Sequence, residues 1–413
     1  MERIGHRGWR IAPALLLLAV VGGCWRQPGF GPLRQGSNPL ETGLTAANVA
    51  TLEPRWTVAV DDGPVRADPV VSGRGLLHVS DDRAVYGLDR ATGARAWRTP
   101  VVPADVPTSA PAHPGMVSSN DTQVFVSWSG IPDDGGSLIV DAATGQVAQN
   151  RRGMIGARST ILRDPWRVTG SSGFVESTLA GSLITVDGPV SWSVLIDLGG
   201  NQPLPPPTPV AITSTRFFVG LTGGFQGTNV LNGWNLDRDC GPVEPPLCRP
   251  DVQTQLDGVP TEAVIADGEA TVYVATAAGT VYAVSTATGA VQWTASLGAP
   301  VTQRMAWTPD ALYAVTDNGR LVTLDPGGCG AATCSPTGSV RLAGTPAAAP
   351  AVAGGVVYVA SAAGTVEAFA VAGGSKPLWS TSLGSEVTGG PTVAHGALFV
   401  GTAGGDVIAF TPS

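Results

Sequence analysis

The chain has 413 residues, with 55 Gly, 34 Pro, 14% charged residues and a formal net charge of −8. The Gly and Pro are spread between short apolar runs, as turns in an all-β protein are, which argues against one disordered tract. The acidic balance excludes the basic footprint of a nucleic-acid binder and fits simple solubility.

In chain order, residues 1–23 read as a targeting segment. A basic start with Arg3, Arg7 and Arg10 precedes "IAPALLLLAVV", which is too short to span a bilayer comfortably. It ends in "VGGC", Val21 to Cys24. Small residues let a peptidase close on the backbone, and the thiol of the Cys can carry a thioether lipid. The segment resembles a bacterial lipoprotein signal, with Cys24 as the lipidated new N-terminus. That implies an extracytoplasmic, membrane-anchored protein at the cell surface or in the periplasm. Residues 24–50 begin Pro/Gly-rich and polar and read as a flexible tether.

From residue 51 to residue 413 a repeat takes over. A short apolar strand centred on an aromatic or imidazole ring recurs at His78, Phe125, Phe218, Tyr273, Tyr313, Tyr358 and Phe399. The gap between Phe125 and Phe218 leaves room for one further unit, its strand near Arg167 or Phe174. A period in the forties with four short strands per unit predicts a β-propeller. The expectation is eight four-stranded antiparallel blades, with seven as the alternative. One blade cannot bury both faces of its sheet, and a ring of blades buries them all. The last unit, from Gly390, supplies only three strands, and "EPRWTVAV" (Glu53–Val60) resembles the missing fourth. The N-terminal strand is therefore expected to close the ring.

Four cysteines follow Cys24 in two close pairs, Cys240 with Cys248 and Cys329 with Cys334. Three pairings are possible, and the spacing favours the local one. Neither pair has the C-x-x-C spacing or a nearby His that a zinc site would use.

"ATGARAW" at Ala91–Trp97, "ATGAVQW" at Ala287–Trp293 and "GGSKPLW" at Gly373–Trp379 carry a common phrase. It resembles the repeat of quinoprotein (PQQ-like) propellers over roughly residues 52–413. The resemblance implies that the Gly makes a tight turn after strand three, and that the Trp of strand four packs on the neighbouring blade. Dehydrogenases of that family hold their quinone with adjacent cysteines, a stacking Trp and a calcium ion. No two cysteines are adjacent here, so no cofactor is expected. The scattered histidines form no H-E-x-x-H, and G-x-S-x-G and P-loop motifs are missing. "DDGG" at Asp133–Gly136 and "DNG" at Asp317–Gly319 read as turns.

Two constellations remain as candidate binding residues. First strands line a propeller's channel, and most carry a Pro or its equivalent. The preceding residues are Asp68, Ala110, Arg158, Thr208, Glu262, Arg304, Ala349 and Gly390. Asp68, Arg158, Glu262 and Arg304 alternate in sign and form a candidate channel mouth. Trp128 and Phe225 are expected in exposed loops between strands two and three, where rings can stack on sugars. The reading is a monomeric, non-catalytic scaffold for an envelope or secreted protein, or for a small ligand. It is similar in fold to the propeller lipoprotein of the β-barrel assembly machinery. A diverged quinoprotein oxidoreductase or a carbohydrate-binding propeller is the alternative.

Overall fold

In a computed structural model, the structure describes residues 24–106, 113–129, 135–152, 157–176, 179–187, 192–198, 207–223, 228–238, 249–371 and 373–413. Their strands form eight sheets, each with a four-stranded antiparallel meander. The chain is a β-propeller. The recurring apolar phrase is the second strand of each sheet, as in Leu76–Ser80, Thr271–Ala275 and Val356–Ala360. The degenerate unit has one long second strand, Trp166–Glu176, which contains both Arg167 and Phe174.

The eighth sheet joins the chain ends. Its first three strands are Val387–Ala394, Ala397–Thr402 and Asp406–Pro412, and its fourth is Leu52–Ala59. Leu52 pairs with Pro412 and Ala59 with Asp406, across a bulge between Pro54 and Trp56. The first and eighth sheets also meet directly, since Thr392 Oγ1 donates to the Pro69 carbonyl at 2.7 Å.

The core lies between sheets and follows from alternation. In Leu76–Ser80, Leu77 and Val79 enter one inter-sheet layer with Tyr86 and Phe399. Where a fourth strand carries the tryptophan of the repeat, the ring staples its sheet to the next. Trp97 Nε1 donates to the Ala142 carbonyl, and Trp56 Nε1 to that of Arg90, both at 3.1 Å. Trp379 Nε1 reaches the Leu52 carbonyl at 3.0 Å. The receiving turn is built for the ring. Gly145 has φ 69°, and a Cβ there would stand 2.6 Å from Trp97 Cδ2. Asp141 shapes that turn by accepting from the Thr144 amide and hydroxyl, both at 2.9 Å. These tryptophans are wall.

One disulfide is described, Cys329–Cys334, with Cα atoms 5.6 Å apart. It holds the turn that receives Trp293, because a Cβ on Gly328 would lie 2.5 Å from that ring. Cys240 and Cys248 fall outside the described residues.

Candidate functional site: a collar across the channel mouth

The first strand of a propeller blade faces the channel with one edge unpaired. Its amides need partners from water, ligand or protein. Here they receive them from the N-terminal stretch read as a tether. That expectation is corrected for residues 25–38, which run round the channel and meet the eight first strands in order.

The amide of Val71 in the first sheet donates to the Trp25 carbonyl at 2.8 Å, and that of Ser119 in the second to Arg26 at 2.8 Å. In the third sheet Leu162 is bonded on both sides by Gln27, N–H to Oε1 at 2.8 Å and Nε2 to its carbonyl at 2.7 Å. Ile212 donates to Pro32, Ile265 to Leu33, Trp307 to Gln35 and Val352 to Gly36, at 2.7–2.9 Å. Asn38 Nδ2 completes the circuit on the Val393 carbonyl at 2.9 Å. Every partner is the corresponding residue of its strand. We call residues 25–38 the collar. Gly29, Phe30, Arg34 and Gly36 all have positive φ, between 61° and 79°, which bends the chain round the circle. Composition suggested a tether because backbone bonding to successive edges leaves no hydrophobic period in sequence.

The collar brings charge into the channel. Arg34, 1% exposed, pairs with Glu262 and also donates to the Pro28 carbonyl. Arg304 Nε lies 3.4 Å from the same Glu262 oxygen, and its Nη1 reaches the carbonyls of Arg34 and Met305. Burial and the neighbouring Arg34 pull the Arg304 guanidinium down to about 10. Asp68 Oδ1 accepts the Gly390 amide at 2.8 Å, and burial raises its carboxyl, with Arg304 opposing. Three sequence-predicted residues, Asp68, Glu262 and Arg304, therefore share one electrostatic neighbourhood. Arg34, the residue that links two of them, was missed, because nothing in its surroundings marks it off from a polar linker. Arg158 lies at the start of the Ala157–Arg163 strand, and its side chain is outside the described set.

Trp128 is corrected. It belongs to the second strand Gln123–Ser129, pairs with Gly136 and Pro114, and is 1% exposed. The strand runs on past the apolar phrase, so the ring enters the core instead of a loop. Phe225 is outside the described residues.

Beside the collar lies a bowl of about 820 Å³ lined by Cys24, Phe30, Leu33, Arg34 and Arg163 among others. Cys24 Sγ is 3.7 Å from His395 Nε2 at its wall. Burial raises the Cys24 thiol and lowers the His395 imidazole.

Among the described residues, the channel lining does not fit a quinone. The resemblance calls for adjacent cysteines, whereas the described disulfide sits in a turn on the wall. The channel-facing guanidiniums of Arg34 and Arg304 are already committed to Glu262 and backbone carbonyls. Among the described residues no cluster of three or more His, Cys, Asp or Glu could hold a metal ion.

Solved structures with this architecture include two alcohol dehydrogenases and a BamB protein. A quinohemoprotein alcohol dehydrogenase from Pseudomonas putida aligns with 97% of this chain and 82% of its own, at 15% identity and TM-score 0.68. A europium-containing methanol dehydrogenase covers 94% and 98%, at 12% identity and TM-score 0.70. BamB from Moraxella catarrhalis covers 87% and 99%, at 13% identity and TM-score 0.57. These identities support the fold alone. No curated protein matches. The family model described as outer membrane protein assembly factor BamB matches residues 39–159, 244–331 and 331–413. With well over half its length matched, the chain belongs to the family of the outer membrane protein assembly factor BamB.

Proposed function

We propose that this chain is a non-catalytic scaffold of the cell envelope, anchored by a lipid on Cys24, that binds an envelope protein. The observation that carries the reading is the internal use of the channel charges. Both terminal nitrogens of Arg34, the Glu262 carboxylate and Arg304 engage one another and backbone carbonyls, which ties these charges to holding the collar in place. The family description names assembly of outer membrane proteins, and the partner class that follows is a protein of that process. Binding then falls to loops at the rim, which a propeller presents on a rigid frame.

The test is co-purification from detergent-solubilised envelope with the lipidated protein as bait. A stoichiometric envelope protein, lost when Ala278 and Ala363 in exposed turns are both replaced by Arg, is the expected result. Reduction of a redox dye after reconstitution with calcium and a quinone, with no partner retained, would overturn it.

A further inference from the structure

The two faces of the propeller differ in what covers them. Each sheet is a meander, so turns between first and second strands and between third and fourth strands share one face. The collar bonds the last or next-to-last residues of the first strands, and so belongs to that same face. Further along, Glu41 Oε1 accepts the Gly396 amide at 3.1 Å and Ala46 donates to the Gly354 carbonyl at 3.1 Å, again at first-to-second turns. The bowl lined by Cys24 opens among the same turns, through Asn120 and Asp164.

The N-terminal stretch is therefore tied to the body from its first docked residue. Trp25 is 1% exposed, packs edge-on against Phe30 at 5.6 Å, and accepts the Val71 amide. It directly follows Cys24. One residue spans at most about 3.6 Å of extended chain. A lipid on Cys24 would have essentially no tether between it and the propeller.

From this we infer that the collar face is a membrane-docking surface, held against the lipid bilayer by the anchor, with the opposite face turned toward partners. The inference rests on the proposed lipidation of Cys24. The occupant is the bilayer itself, because the anchor leaves the protein at the centre of this face and not from its rim. The acyl chains exit through the bowl, whose wall mixes Phe30, Leu33 and Leu40 with Arg26 and Arg163. Apolar side chains beside basic ones suit the boundary between acyl chains and headgroups. The basic groups are partly balanced, Arg26 by Asp121 and Arg163 by Glu269, both at 2.5 Å. Contact therefore depends on the anchor more than on anionic lipid.

The test uses the full lipidated protein in phosphatidylcholine vesicles containing a nitroxide-headgroup lipid. A fluorophore is placed at Asp310→Cys, in an exposed first-to-second turn on the collar face, or at Ala363→Cys, in an exposed second-to-third turn opposite. The expected result is quenching several-fold stronger at position 310 than at position 363. Equal quenching, or stronger quenching at 363, in protein whose intact mass carries the lipid would overturn the orientation alone. An intact mass without lipid on Cys24 would overturn the anchoring reading, and the orientation with it.

Discussion

At the residue scale, His78 occupies the place of Phe125 and Tyr273 in the second strands of other sheets, and it is fully buried. Its Nε2 faces Ser72 Oγ at 3.2 Å and its ring lies 5.5 Å from that of Trp97. Burial lowers its pKa from 6.5 to about 4. Between those values the unfolded chain binds a proton that the folded chain refuses. Stability is thus full above the unfolded pKa and falls as pH drops from 6.5 to about 4. The loss amounts to about 3 kcal/mol at roughly 1.4 kcal/mol per pH unit. His78→Phe restores the ring type used elsewhere in the repeat and should flatten this limb in urea titrations across pH; an unchanged acid slope would place its origin in the carboxylates. Gly145 makes a second test. Gly145→Ala forces a side chain into left-handed backbone against Trp97, and should cost about 3 kcal/mol in urea unfolding. The strand position of His78 was readable in sequence because it is periodic, and a residue's neighbours there are given by the repeat. Trp128 was misplaced because its strand outruns the period.

At the scale of elements, the repeat and the collar illustrate opposite kinds of coding. A blade is written in side chains, since two-residue alternation and the Gly–Trp phrase recur at fixed spacing. The collar is written mainly in backbone, since carbonyls of Trp25, Arg26, Pro32, Leu33, Gln35 and Gly36 do the bonding and any residue has one. The collar side chains that bond the body, Arg26, Gln27, Arg34, Gln35 and Asn38, follow no regular spacing and define no pattern. The Pro-flanked positions exposed Asp68, Glu262 and Arg304 as a group because charges are scarce, but not their partner on the collar. Arg34 is the collar side chain that pairs with the channel carboxylate of Glu262. Arg34→Ala leaves Glu262 with Arg304 as its nearest cation, and should cost about 3 kcal/mol, as removal of one partner from a buried pair does. The collar should loosen more than the sheets. Hydrogen exchange at the amides of Ile265 and Trp307, which donate to Leu33 and Gln35, should accelerate well beyond the global change. Arg34→Lys, which keeps the charge, should fall between. Uniform acceleration throughout the chain would mean that the collar is no separate element.

For the whole molecule, closure is a matter of chain ends. A ring of sheets has no hydrophobic layer left open only if its first and last members meet. Residues 25–59 serve that end twice, as the collar that touches all eight first strands and as the fourth strand of the eighth sheet. Trp56 stands at the seam. It belongs to the eighth sheet, and its indole bonds the Arg90 carbonyl of the first. A Cβ on Gly93 would lie 2.8 Å from its ring, so the turn of the first sheet is moulded round it. Trp56 also meets Phe399 at 6.1 Å. Trp56→Ala removes the staple between the strand that closes the eighth sheet non-covalently, Leu52–Ala59 against Asp406–Pro412, and the turn of the first sheet. The ring is partly exposed there, so the cost should be about 2–3 kcal/mol, below that of a fully buried Trp. The collar still ties the eighth sheet to the first in the variant, through Asn38 and Trp25. Thermal unfolding should therefore stay a single transition at a lower midpoint. In the Trp56→Ala/Arg34→Ala double variant both ties are weakened, and the loss should exceed the sum of the two single losses. Simple additivity would mean that seam and collar act independently, and that the ring is held shut by its sheet-to-sheet packing alone.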